Sequence, residues 1–295
     1  MRILMVHGIN QENKDPEELK QTWIKALKLG FEKAKLDFPE GLTFDFPYYG
    51  DLLLKLQSNY EAANKGAEYN LKSTSPDTDT VLSLQEKILE EMLKDTDFTN
   101  LELEPEQPAI KEKAIYNHMP FLALARALDG KRYLGNLSLV IFTSVVAAYL
   151  SVNLIRHKVD QKVHSHIFDD TDVVIAHSLG SVVAYNVLNA GKKGPVNLKL
   201  FVTLGSPLGL MRVKAQLETP VKFPPCLSGK WINLYDPKDM VSLYPLDAEN
   251  FNVNPEIDNF KMENNSNNHH DISEYLSDPL VASYINKLYV DRKKS

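Results

Sequence analysis

The stretch DVVIAHSLGSVVAYNVL, residues 172–188, decides the fold. Its first part is a short apolar run without polar alternation, which reads as a parallel strand covered on both faces. Its second part is apolar nearly all round, which predicts a helix buried against a sheet. Between them stands Ser178, with Ala176 and Gly180 two positions to either side. Small residues there let a strand end and a helix start approach closely while the serine points out of the turn. Two readings compete: a nucleophile on a strand-to-helix turn, and a serine that caps a helix.

Working outward, similar apolar runs lie at 2–6, 42–48, 198–204 and 231–235, with a weaker one at 260–262. Helical segments separate them. Asp15 before Pro16, with Glu18 three residues after the cap, opens the first, and Leu19, Trp23, Ala26, Leu27 and Ala34 share a face. Strands alternating with helices define an α/β fold with a mostly parallel sheet of about six strands. The expected order across the sheet is second, first, third, fourth, fifth, sixth, with right-handed crossovers.

Residues 50–155 depart from the alternation. Helices are expected at 51–68 and 79–94, followed by the charged, proline-broken LELEPEQPAIKEK at 101–113. The expectation is a core of residues 1–49 and 156–295 carrying a helical insertion at 50–155, a lid over the strand ends where α/β proteins bind ligands. The uncharged LSLVIFTSVVAAYLSVNLI, 137–155, is nearly long enough to span a bilayer. It lies between segments of one sheet, so a buried helix packing on the core is the first reading and a membrane-facing lid the second.

Composition narrows the function classes. The 295 residues are 43% hydrophobic with a formal net charge of −6, which speaks against a nucleic-acid partner. The one cysteine, Cys226, can form neither an internal disulfide nor a cysteine zinc site, so a reducing compartment is the simpler reading. The N-terminal apolar run is too short for a signal peptide, and a cytoplasmic protein is expected.

A serine hydroxyl becomes a nucleophile only with a general base, an acid that orients the base, and N–H donors for the oxyanion. Asp236 and Asp239 both follow the run at 231–235, and His269 and His270 both precede a closing helix capped by Asp271 or Ser273. Asp236 before Pro237 also fits an Asx-turn. Neighbouring histidines rarely converge on one ion, so no metal is expected, and the chemistry needs no cofactor. Ser206 is a weak rival nucleophile, because Pro207 blocks the same turn geometry after it.

These residues together resemble the α/β-hydrolase superfamily, its lipase and esterase members in particular. In that family an oxyanion loop, the serine, an acid and a histidine follow in this order. The resemblance implies a Ser178–Asp239–His270 triad, Asp239 being preferred over Asp236 by its Asp-Met-Val setting and His270 over His269 by its place next to the helix. His7-Gly8 resembles the family's His-Gly loop, which implies Ile9 and Leu179 as oxyanion donors and a structural role for His7. The resemblance covers most of the chain outside the insertion. It departs at Ala176, where the commoner pattern has glycine, at the missing first hairpin, and in the insertion's place after the second strand. The implied activity is hydrolysis of a carboxylic ester of a small-molecule or lipid-like acyl substrate, with membrane contact through the insertion as a further expectation. Thioesterase, amidase or peptidase and acyltransferase chemistry use the same groups, and a non-catalytic binding protein is the alternative from another class.

Overall fold

The computed structural model describes residues 1–66, 78–94, 139–190, 198–264 and 268–294. Six strands, β1 (Arg2–Val6), β2 (Thr43–Asp45), β3 (Thr171–His177), β4 (Leu198–Leu204), β5 (Leu227–Tyr235) and β6 (Asp258–Lys261), form one parallel sheet. Its order is β2-β1-β3-β4-β5-β6, as the sequence predicts. β2 is shorter than the expected 42–48.

The lack of alternation in the strands has its explanation in two apolar layers. Ile3, Met5, Val173, Ile175, Leu200, Val202, Ile232 and Leu234 face α1 (Pro16–Lys33), α8 (Ile272–Leu276) and α9 (Pro279–Lys294), meeting Trp23, Leu27, Phe31, Leu276 and Ile285. Leu4, Val6, Val174, Ala176, Phe201 and Trp231 face the other way. There they share one cluster with α2 (Gly50–Gly66), α3 (Thr78–Lys94), α4 (Leu139–Ser151), α5 (Asn153–His164) and α6 (Leu179–Asn189). The helices from 50–155 therefore contribute to the core layer on that face. The stretch 101–113 lies outside the described residues.

Local signals place several ends. The Asp15 carboxylate accepts from the N–H groups of Glu17 and Glu18, both at 2.9 Å, satisfying donors that a helix start leaves free. Asp271 caps α8, accepting from the Ser273 N–H at 2.8 Å, and Ser273 is not the cap. The closing helix is broken before Pro279 into α8 and α9. Glu91 of α3 accepts from the N–H groups of Met211 and Arg212, at the start of the short α7 (Met211–Lys214), so α3 is tied to the chain after β4.

The uncharged stretch is a buried helix only as far as Ser151. Val152 is extended, and α5 leaves at 91° to α4. No proline or glycine marks the break; the Arg156 guanidinium donates to the Leu150 carbonyl there. Tyr149 donates to Asp160 at 2.7 Å and accepts from Asn186 at 2.9 Å, joining α4, α5 and α6. Among the described residues no single helix is long and apolar enough to cross a membrane; the bent pair α4 and α5 passes only by length and composition.

The tightest packing lies where α6 starts. A Cβ on Gly180 would stand 2.4 Å from the carbonyl oxygens of both Val6 and His7. Backbone on both sides leaves little room to yield, so Gly180→Ala should cost roughly 1–3 kcal/mol or more. Urea unfolding measures it; an unchanged midpoint would show that the strand end and the helix are not in this contact.

Candidate active site

Ser178 links β3 to α6 with φ 56° and ψ −135°, a conformation uncommon for a residue with a side chain. Its side chain makes no cap hydrogen bond, so the helix-cap reading fails. Its N–H donates to the Leu204 carbonyl at 3.1 Å. Its own carbonyl accepts from the Ser181 N–H and from Ser181 Oγ at 2.6 Å. Ser181 Oγ also meets Ser206 Oγ at 2.7 Å, and Ser206 Oγ accepts from the Leu208 N–H at 3.2 Å. Ser206 is thus occupied in holding the turn after β4.

The loop after β1 approaches the serine from the other side. A Cβ on Gly8 would lie 2.6 Å from Ser178 Cβ and 3.0 Å from its Oγ, so only glycine fits without moving Ser178. His7 is hydrogen-bonded within this loop and to Tyr49. Its Nε2 accepts from the Tyr49 N–H at 3.1 Å, Nδ1 lies 2.8 Å from the Gly8 carbonyl, and the Tyr49 hydroxyl donates to the His7 carbonyl. Accepting at Nε2 requires a neutral ring with the proton on Nδ1. Burial pushes its pKa down to about 4 in agreement. Ile9 is buried, and Leu179 opens α6, where a first-turn N–H has no intrahelical acceptor.

Asp239 and His270 are brought together. His270 Nδ1 lies 2.8 Å from Asp239 Oδ2, and both side chains are buried. A carboxylate only accepts, so Nδ1 carries the proton and Nε2 presents a lone pair. Asp239 also accepts from the Val241 N–H at 2.9 Å, Ser242 Oγ at 3.0 Å and the Tyr275 hydroxyl at 2.8 Å. Burial first, and Asp239 second, raise the Tyr275 pKa well above its ordinary value, which keeps it a donor. Gly205, at φ 53°, passes so close that a Cβ would lie 3.1 Å from Asp239 Oδ2 and 3.2 Å from His270 Nδ1. The alternates Asp236 and His269 pair with each other instead, at 2.9 Å.

The residue before the serine completes the arrangement. The His177 ring lies 4.5 Å from that of His270, centre to centre. Burial, and then the His270 imidazole, hold its pKa well below the ordinary value. Among the described residues six buried side-chain polar atoms lack a hydrogen-bond partner, and Ser178 Oγ, His177 Nε2 and His270 Nε2 are three of them. Ser178 and His270 are not hydrogen-bonded to each other. Such orphans are uncommon in folded proteins, and their concentration here marks the place as more than packing. Among the described residues no group of three or more His, Cys, Asp or Glu is arranged to hold a metal ion.

A cavity of about 500 Å³ lies beside the loop after β1. Gly8, Ile9 and Asn10 form one wall, and Leu53, Leu82, Val140 and Val145 are among the apolar residues from α2, α3 and α4 that line the rest. Leu82 of α3 is 45% exposed and lines this cavity, while Leu89, Met92 and Leu93 of the same helix are buried. Ser178 itself is 2% exposed and lies behind Gly8. Sequence reasoning missed Tyr275, Ser242, Ser181 and His177. Ser181, one turn into α6, carried a positional signal, but the contacts of Tyr275 and Ser242 arise only in the folded chain.

Compared with known protein families, curated proteins and solved structures, the chain finds no match.

The neutral state of His7 makes stability depend on pH. Between pH 6.5 and about 4 the unfolded chain binds a proton at His7 that the folded chain does not, so stability falls as pH drops through that window and levels off below it. The loss from His7 is on the order of 3 kcal/mol, and His177 adds to it in the same direction. Urea midpoints at pH 7 and pH 4.5 measure this. Asp160, whose pKa burial raises to about 6, acts in the opposite direction over the same window, so NMR titration of the His7 ring in the folded protein is the deciding measurement, and protonation near 6.5 would show that burial does not hold it neutral.

Proposed function

We propose that this chain is a serine hydrolase of the α/β-hydrolase type that cleaves carboxylic esters with an apolar acyl part, using Ser178, His270 and Asp239. The observation that carries the proposal is the pairing of two features in one buried place. Ser178 is held at positive φ with an unpartnered Oγ, and His270 gives Nδ1 to Asp239 while its Nε2 is unpartnered.

In the proposed reaction Ser178 Oγ forms a bond to the ester carbonyl carbon as its proton passes to His270 Nε2. The carbonyl electron pair moves to oxygen, which the N–H groups of Ile9 and Leu179 receive. Asp239, fixed by its other donors, keeps the ring in the tautomer that accepts at Nε2. The tetrahedral species then collapses, and the departing alkoxide takes the proton from His270. Water repeats the sequence on the acyl-enzyme, releasing the acid and restoring Ser178. The apolar walls of the cavity next to Ile9 support an apolar acyl part, since burying each methylene contributes about 0.8 kcal/mol.

A fluorophosphonate probe tests the proposal. Folded protein should carry one adduct, on Ser178 by peptide mass, and Ser178→Ala should carry none. His270→Ala should lower kcat for a short-chain ester by roughly four to six orders of magnitude. Gly8→Ala should label far more slowly, because the added methyl displaces Ser178. An unlabelled wild-type serine, under conditions where a known serine hydrolase reacts, would overturn the proposal.

A further inference from the structure

The two acids and two histidines weighed in the sequence form two parallel pairs. Asp236 and Asp239 lie on the turn after β5, where the Asp239 N–H donates to the Asp236 carbonyl at 2.9 Å. His269 and His270 are consecutive, and each gives Nδ1 to its own carboxylate, at 2.9 Å and 2.8 Å. Asp236 is fully buried although Asp239 alone touches His270. A buried carboxylate is costly unless its lone pairs are filled. Asp236 accepts from the Lys238 N–H at 2.9 Å, the Asn264 N–H at 3.0 Å and His269.

These bonds converge on one peptide unit. The His269 carbonyl accepts from Asn264 Nδ2, and the N–H of the same peptide, that of His270, donates to Asn268 Oδ1 at 3.2 Å. The peptide that carries the His270 Cα is therefore clamped on both of its polar atoms. The His269 ring anchors it a third time, through Asp236, to the turn that carries Asp239. The proposed base and its orienting acid thus share one rigid frame.

We infer that Asp236, His269 and Asn264 are positioning residues, which set His270 by holding the 269–270 peptide against the turn bearing Asp239. The assignment rests on the serine-hydrolase proposal for its catalytic consequence, but the clamp can be read without turnover. Misplacing a catalytic group by about 1 Å costs on the order of 100-fold in rate. His269→Ala removes the ring anchor and leaves Asp239, His270 and Ser178 untouched. His269→Asn keeps an amide donor close to the position of Nδ1. Asn264→Leu removes the bond to the His269 carbonyl and keeps the Asn264 backbone bond to Asp236.

The experiment measures three things on these full-length variants. They are the fluorophosphonate labelling rate at Ser178, kcat and KM for a short-chain ester, and the downfield proton NMR signal of His270 Nδ1–H. Expected for His269→Ala and Asn264→Leu are roughly 10- to 100-fold losses in kcat and labelling rate at nearly constant KM, with the His270 signal lost. Recovery of kcat and of the signal is expected in His269→Asn. A merely structural role would lower thermal stability without this kcat-only loss and without rescue by asparagine. If His269→Ala and Asn264→Leu keep the His270 signal and label within twofold of wild type, the inference is overturned. If wild-type Ser178 does not label but the His270 signal still depends on His269 and Asn264, the clamp stands and the hydrolase proposal fails.

Discussion

The close approach of two backbones at Gly180 is the constraint on which the rest depends. The first turn of α6 sits against the carbonyls of Val6 and His7 with no space for a side chain. That contact forces a reversal within one residue at the end of β3, and Ser178 absorbs it in a positive-φ conformation. The same contact brings the loop after β1 across the serine, so that Gly8 must also lack a side chain. One steric requirement thereby fixes two glycines, the place of the serine side chain against the loop, and the direction of a largely apolar helix into the core.

Around that contact, polarity is managed by burial and by saturation of acceptors. His7 and His177 are kept neutral by the apolar layers that enclose them. Asp236 and Asp239 are fully buried, and each accepts from several donors that offset the cost of burying a carboxylate. Among the described residues three of the six buried side-chain atoms without partners, Ser178 Oγ, His177 Nε2 and His270 Nε2, belong to this region.

What the sequence made legible divides by range. The α1 cap at Asp15 and the serine turn are set by short-range chemistry and are readable from spacing, while the strand order is a long-range property expected from how α/β chains connect. The preference for Asp239 over Asp236 and for His270 over His269 comes from the Asp-Met-Val setting and the place beside the closing helix, not from the side chains themselves. Each pair has equal chemistry within a few residues, and the docking of two distant loops is what sorts them into partners. The break at Val152 is equally hidden, because an arginine four residues later, and no proline or glycine, supports it. Tyr275 looked like an ordinary core residue of α8 until the fold aimed its hydroxyl at Asp239.

The placement of β1 beside β3 has a kinetic meaning. Arg2 and Asp172 are hydrogen-bonded neighbours 170 residues apart in the chain. Closing so long a loop is entropically unfavourable, and such distant pairings slow folding. The His269 and His270 pairs come later still, after β6 and just before the last helices. During synthesis the chain therefore carries its serine long before it can carry its histidine frame. This buried group of side chains needs both ends of that span, and no N-terminal fragment ending before His270 can reproduce it.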